Sequence, residues 1–414
     1  MKAILLLIKR SLWQHGFATL ITLFSVALAS GLMLSVFSIK TQTRQAFLVD
    51  HIGFDGVLGT RGSDLQLVLN SVYHLETSPG NIPWSLYKDV KKHFGVKLAI
   101  PYALGDNYKG FRIIGTHTDL FDKFKFKHEE GYTFSSGSAF KADAQEAIVG
   151  SFVAESLNLK VGDTIHPYHG LVYDEKAKHE QSYTVKGILN PTNTPNDRVV
   201  WIPIDLFFKM EGHVLRGTGK DYQAKMGEVI PDEHKELSAV MLQFKNPMAG
   251  MMLNQMINRQ GKVATLAYPI ARVILEFFNK MGWMVKVLEL IAILTLIVAA
   301  AGILASLYNT LHERRQEFAI LRALGAKKSV VFSVILGQSI AIALIGSLFG
   351  YLSYAIIMTG VAHWVKVNIG VILYVWNEDP IFWINPILHI VMGTIAGLIP
   401  AIKAYKTDVA TNLT

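Results

Sequence analysis

The chain has 414 residues, a net charge of +8 and no cysteine. Its apolar fraction of 51% and mean hydropathy of +0.31 lie between those of a soluble globule and a polytopic transporter, so the apolar residues should be unevenly spread. The missing cysteines exclude a disulfide framework and thiolate metal sites, and basic residues gathered beside apolar runs argue against nucleic acid as the reason for the charge.

Residues 1–16 read as a cytoplasmic amphipathic helix, with Ile4, Leu5, Ile8 and Leu12 on one side and Lys2, Lys9 and Arg10 on the other. The same residues also suit the plain cytoplasmic start of a first membrane helix. Four uncharged runs follow, at 17–39, 290–311, 329–362 and 380–402. Each reaches the roughly 20 residues that a helix needs to cross a bilayer core. The first run has a signal-peptide alternative at Ala27-Leu28-Ala29. It continues through Leu32, Leu34, Val36 and Phe37, which predicts an uncleaved anchor.

Positive residues flank these runs: Lys2, Lys9 and Arg10; Arg314, Arg315, Arg322, Lys327 and Lys328; Lys403 and Lys406. The positive-inside pattern puts both termini and the 312–328 loop in the cytoplasm, and 41–275 and 363–379 outside. The predicted division is a membrane helix at 17–40, an extracytoplasmic domain at 41–275, a stalk and membrane helix at 276–311 and a cytoplasmic helix at 312–328. Membrane helices at 329–362 and 380–403 follow, joined by the outer loop 363–379, with a cytoplasmic tail at 404–414. The fold class is four transmembrane helices in a one-plus-three arrangement, with a large α+β domain inserted between the first and second.

Within the inserted domain, strands are predicted at 97–101, 111–115, 147–149, 183–189, 199–202 and 238–244, and helices near 84–94, 151–158 and 247–259. The segment from Gly59 to Asn70 reads as a turn and a packed helix, with an anion-holding turn as the alternative. Gly105-Asp106-Asn107-Tyr108-Lys109-Gly110 reads as a hairpin turn, and 205–228 as a polar loop. Residues 268–290 run into the second membrane helix without a breaker, which predicts a continuous stalk.

Gly217-Thr218-Gly219-Lys220 is not a phosphate-binding loop, because Val214 and Asp221 stand where a glycine and a Ser or Thr are needed. His312-Glu313 lacks the second histidine of a zinc protease motif, since Gln316 is there instead, and no G-x-S-x-G elbow occurs. No enzyme activity and no cofactor are expected in this chain; if it does ATP-driven work, ATP and Mg²⁺ act on another chain.

Histidines concentrate between His51 and His234. His166 and His169, with Asp174, Glu175, His179 and Glu180 downstream, offer nitrogen and carboxylate donors that suit zinc. Their spacing matches no recognised zinc pattern, and solvated loop side chains are the plainer expectation. If a metal binds, His166, His169 and His179 are the candidate ligands. Near the outer end of the second membrane helix, Lys286 and Glu289 are placed either to pair at i,i+3 or to face water, while Gln338 and His389 within the runs suit helix–helix hydrogen bonds. Ala299, Ala300, Ala301, Gly302, Gly346 and Gly350 suit close helix approach.

The segment Glu313-Arg314-Arg315-Gln316-Glu317-Phe318-Ala319-Ile320-Leu321-Arg322-Ala323-Leu324-Gly325-Ala326 predicts a short charged helix with Phe318, Leu321 and Leu324 on one side, ended by Gly325. It resembles the coupling segment of MacB-type, FtsX-like (type VII) ABC permeases. Gly397-Leu398-Ile399-Pro400-Ala401-Ile402-Lys403-Ala404 is similar to the exit of their fourth helix. The run from Ala147 to Leu157, with 161–165 and 183–188, resembles their periplasmic core domain.

That resemblance implies a permease dimer, homo- or heteromeric, in the bacterial inner membrane, seated on a dimer of ABC ATPase subunits, with membrane lipids and an adaptor or delivery protein as further partners. It gives Glu313, Arg314, Glu317, Phe318, Arg322 and Gly325 the ATPase-contact role. The implied function is mechanotransmission for export or extraction of a periplasmic or membrane substrate. The alternative is an FtsX-like signalling scaffold that regulates a partner such as a cell-wall hydrolase.

Overall fold

A computed structural model describes residues 2–46, 53–126, 130–170, 173–210, 215–218, 227–369 and 372–406. Much of the expected 205–228 loop, including Val214, Gly219, Lys220 and Asp221, lies outside the described residues, as do His51 and 407–414 of the tail.

In chain order the elements are α1 (Lys2–Gln14), α2 (Gly16–Ala46), β1 (Gly56–Thr60), α3 (Asp64–Ser71), β2 (Ile82–Pro83), α4 (Trp84–Lys92), β3 (Val96–Tyr108), β4 (Phe111–Thr116) and α5 (Asp119–Asp122). Then come β5 (Phe134–Gly137), β6 (Glu146–Val149), α6 (Ser151–Leu157), β7 (Thr164–Ile165), β8 (Tyr168–His169), β9 (Tyr183–Leu189), β10 (Val199–Pro203) and α7 (Ile204–Phe207). The chain closes with β11 (Glu236–Leu237), β12 (Ala239–Phe244), α8 (Pro247–Gln255), β13 (Ala264–Ala267), α9 (Ile270–Glu313), α10 (Arg315–Ala323), α11 (Lys328–Ile369) and α12 (Ile381–Lys406).

These elements form two compact units. One, the helical unit, contains 1–45, 281–364 and 373–414; the other, the inserted unit, contains 46–280 and 365–372.

The inserted unit is built on a mixed sheet in the order β13-β1-β12-β3-β4-β10-β6-β9-β5, with β7 paired to β9 and β8 to β3. The β10–β4 and β6–β9 pairs are parallel and the others antiparallel. Side chains of a strand alternate between faces, and here both faces are covered. Leu58, Val200, Ile202, Val240 and Leu242 join one apolar cluster with Trp84 and Tyr87 of α4, Val153 of α6 and Leu253 of α8. Their neighbours Val57, Trp201, Ala239 and Met241 join the other, with Leu67 of α3, Phe121 of α5 and the first turn of α9 at Ile270, Val273 and Ile274. This explains why the strands read as nearly unbroken apolar runs.

Local signals start and stop the helices. Ser63 caps α3 by accepting from Gln66 N, and Asn246 caps α8 by accepting from Ala249 N at 2.9 Å, with Pro247 as its first residue. Asn158 ends α6 in the left-handed conformation (φ 51°). Two expectations are corrected. Residues 105–108 are not a turn: β3 runs through them, and only Lys109 and Gly110 turn the chain into β4. The predicted helix at 247–259 is α-helical only to Gln255 and widens into a π turn over Met256–Gln260.

In the helical unit, four helices are long and apolar enough to cross a membrane, at Gly16–Thr43, Ile270–Glu313, Lys328–Asn368 and Ile381–Lys406. Their exposed side chains include Phe24, Val298, Leu352, Ile356 and Ile387, the surface a helix shows to acyl chains. Their packing relies on small residues. Gly31 of α2 sits so close to α11 that a Cβ there would lie 2.6 Å from Ser353 Cβ and 2.9 Å from Gly350 O. Ser30 is fully buried, accepts from Asn385 Nδ2 of α12 at 2.7 Å and donates to Ser347 O of α11 at 3.2 Å, tying three helices. Gly346 and Gly350 lie in this contact, as expected, whereas Gly302 faces open space. Glu289 pairs with Lys40 of α2, across the helix pair.

Candidate functional site

The helix α10 follows α9 through Arg314, which leaves helical geometry (φ −100°, ψ 14°) and turns the chain. Its placement follows from which side chains can be buried. Phe318 and Ala319 are buried, and Phe318 packs with Leu311, Val331, Ile335, Ala401 and Ala404, so α10 rests on the ends of α9, α11 and α12. Arg314, 7% exposed, donates from Nε to Glu317 Oε2 at 2.6 Å, and its guanidinium lies 5.1 Å from the Phe318 ring centre. A planar cation over an aromatic face and a charge-assisted hydrogen bond together make this corner stiff. Glu313 reaches back to His15 Nε2 at 2.7 Å.

At the far end, Gly325 takes φ 97°; its N–H donates to Arg322 O and the N–H of Ala326 donates to Leu321 O, both at 3.0 Å. This paired closure satisfies carbonyls that would otherwise be left open, and glycine provides the positive φ. Glu317 in the first turn and Arg322 in the last are each at the helix end that favours their charge.

The six residues expected at the contact therefore divide. Arg314 and Phe318 brace the helix from inside, Gly325 ends it, and Glu313, Glu317 and Arg322 lie at its polar edges. Leu324, expected beside Phe318, is instead 81% exposed, because it is the cap residue and has left the helical path. With Gln316 and Ile320 it makes an outward stripe at four-residue spacing. Ile320 was not distinguished in the sequence reading, where burial of its neighbours could not be known.

The histidine candidates also divide. His169 and His179 come together, and His166 does not join them. The third donor is Asp106, which the sequence pattern places in a turn. Asp106 Oδ1 lies 3.3 Å from His169 Nδ1 and 3.4 Å from His179 Nε2. A bulge sets this geometry: Leu104 pairs with Ile114 and Asp106 with Ile113, leaving Gly105 as the extra residue. Asp106 is then directly opposite His169 in the β3–β8 pair. The hydrogen bond to Asp106 holds the His169 imidazole above its ordinary pKa. Asp174, one of the downstream acids, instead caps a short 3-10 turn by accepting from Lys176 N.

One apolar helix before and three after a two-faced mixed sheet, with a capped charged helix between the second and third, define a membrane subunit of the permease class. Residues 19–247 match the family model for the MacB-like periplasmic core domain, and 289–409 match that for the FtsX-like permease C-terminal region. The chain belongs to this family, as an ABC transporter permease of MacB/FtsX type in the bacterial inner membrane. Permease subunits of this kind are generally non-catalytic.

Among solved structures, the periplasmic region of MacB from Actinobacillus actinomycetemcomitans is similar at 10% identity, covering 56% of this chain and 95% of that one (TM-score 0.35). The extracellular domain of the noncanonic ABC-type transporter YknZ from Gram-positive bacteria is similar at 15% identity, covering 51% and 97% (TM-score 0.29). The family assignment rests on the sequence matches.

Proposed function

We propose that this chain transmits the motion of a separate ABC ATPase to its inserted domain, and so drives export or extraction of a periplasmic or membrane substrate without carrying it through the helices. The observation that carries this reading is the build of α10. It is braced from within by Arg314 and Phe318, ended by Gly325, and presents Gln316, Ile320 and Leu324 outward beside Glu317. Two exposed apolar side chains, Ile320 and Leu324, flanked by polar Gln316 and charged Glu317 on a stiff short helix, make a surface that a partner groove can grip and push. The excess of Lys and Arg near 312–328 and at both termini supports a cytoplasmic position for this helix, with the inserted domain outside.

In this reading two permease copies sit on two ATPase subunits, and α9, helical without interruption from Ile270 to Glu313, carries the displacement. The size of the inserted domain favours this over a compact signalling scaffold. The test is co-purification with the cognate ATPase. Leu324→Asp, Glu317→Lys and Arg322→Glu are each expected to reduce ATPase association and ATP-driven activity at least tenfold, and a fully coupled Leu324→Asp variant would overturn the assignment of this face.

A further inference from the structure

We propose that Asp106, His169 and His179 form a binding site for an exchangeable divalent transition-metal ion of the zinc type. The site is separate from the coupling helix and does not depend on the reading of the chain as a motor-driven subunit.

The three donors are one carboxylate oxygen and two imidazole nitrogens, all within 4.8 Å of one another, the group of this kind found among the described residues. Zinc bound to nitrogen and oxygen at about 2.0–2.1 Å in a tetrahedron separates neighbouring donor atoms by about 3.4 Å. Two of the three edges already have that length, at 3.3 and 3.4 Å from Asp106 Oδ1. The remaining edge is no longer than 4.8 Å, and the His169 side chain, 58% exposed, is the one with room to adjust to an ion. The two rings stand 84° apart with centroids 5.6 Å from each other, so they approach the carboxylate from different directions rather than stacking.

The frame around the donors is fixed. Asp106 is fully buried on the bulged strand. Asn107 Nδ2 donates to Gly170 O at 2.9 Å and to Tyr168 O at 3.3 Å, which pins β8 on both sides of His169. His179 N donates to Pro167 O at 2.9 Å, which brings the 175–180 segment back to the same strand. Supporting hydrogen bonds of this kind hold ligands in a metal-ready arrangement. A carboxylate with no exposed surface also favours a neighbouring cation.

The donor set points to the class of ion. Two imidazoles and one carboxylate suit Zn²⁺ and its borderline neighbours, whereas Ca²⁺ and Mg²⁺ require more oxygen donors than this site has. Three protein ligands leave a fourth position for water or an external donor, the arrangement of sites that exchange or act rather than of closed structural ones. On the His169 side a cavity of about 220 Å³, also lined by Gly105, Arg216, His234 and Glu236, gives an ion a way in.

The test uses the full chain in detergent, stripped with a chelator and titrated with ZnCl₂ by calorimetry, with zinc-edge X-ray absorption on the loaded protein. The expected result is one saturable Zn²⁺ per chain with two imidazole ligands. His169→Ala, His179→Ala and Asp106→Asn should each weaken binding at least tenfold, while His166→Ala leaves it unchanged. Should the buried substitutions unfold the domain, exposed His169→Ala decides alone, with circular dichroism to verify its fold. Absence of saturable binding, undiminished binding in His169→Ala, or equal binding of Mg²⁺ or Ca²⁺ would overturn the proposal.

Discussion

Lys40 Nζ of α2 lies 2.5 Å from Glu289 Oε1 of α9, joining the first and second membrane-crossing helices by an ion pair. Both side chains are partly exposed, at 44% and 24%. Exposed pairs contribute about 0.2–1 kcal/mol. Lys40→Ala and Glu289→Ala should each lower thermal stability in detergent modestly, and a double-mutant cycle should give a coupling in that range. Additive effects would show that the pair contributes no coupling.

Burial and exposure on α10 make opposite predictions for two neighbouring apolar residues. Phe318 is buried in a cluster with Leu311, Val331, Ile335, Ala401 and Ala404, so Phe318→Ala should cost about 3 kcal/mol or more and lower the melting temperature. Leu324 is exposed, so Leu324→Asp should leave melting unchanged while ATPase association falls. Parallel thermal and pull-down assays of the two variants separate bracing from gripping. The reverse pattern would require α10 to be turned over.

Gly325→Ala places a side chain at φ 97°. The cost is expected to be about 1 kcal/mol, from the strained left-handed backbone alone, because nothing lies within 4 Å of the added Cβ. Gly325→Asn should cost less, since Asn tolerates this region. Equal melting temperatures for the two variants would argue against backbone strain as the cause.

Gly31→Ala acts through space instead. Its Cβ would meet Ser353 Cβ at 2.6 Å and the backbone atoms Gly350 O and Tyr354 N at 2.9 Å, so α2 and α11 would have to separate. A loss of about 1–3 kcal/mol is expected, read as a lower melting temperature of the detergent-solubilised chain. Gly302→Ala, with open space around it, is the control and should be silent.

His74 gives the inserted domain a pH dependence. It is half-buried, in the left-handed conformation (φ 56°), with its ring edge-on to Trp201. Asn196 Nδ2 donates to Tyr132 OH, so Asn196 Oδ1 accepts, and His74 Nε2 carries the proton in their 3.0 Å contact. Desolvation by burial lowers its pKa from 6.5 to about 4. A depressed folded-state pKa gives stability that is present above pH 6.5 and lost as pH falls toward 4, because only the unfolded chain takes up the proton in that window. The expected slope is about 1.4 kcal/mol per pH unit. His74→Asn, which keeps the left-handed backbone, should flatten it in chemical denaturation between pH 7 and 4.5.

The fold class and family were legible because their signals are local and repeated. Four apolar runs each declare themselves by length, and the segment from Glu313 to Ala326 combines charge, spacing and a near-terminal glycine in fourteen residues. What stayed hidden depends on pairing across long separations. Nothing in Gly105-Asp106-Asn107 says that β3 bulges there, or that His169 will be its partner 63 residues later, so the third donor read as a turn residue. Likewise Lys286 and Glu289 are neighbours on one helix, and only the packing of α2 reveals Lys40 as a partner of Glu289. The exposure of Leu324 depends on where α10 stops being helical, a matter of one residue that periodicity does not resolve.

The unbroken α9 contains 44 residues and so spans about 66 Å. A helix of that kind preserves rotational phase: each residue advances the chain by about 1.5 Å and turns it by about 100°. One alanine inserted near its middle would therefore turn Ile270 by about 100° relative to Glu313, while an insertion of seven, close to two full turns, would nearly restore the bearing at a greater length. Sensitivity to the angle of an insertion rather than to its size would be the signature of a shaft.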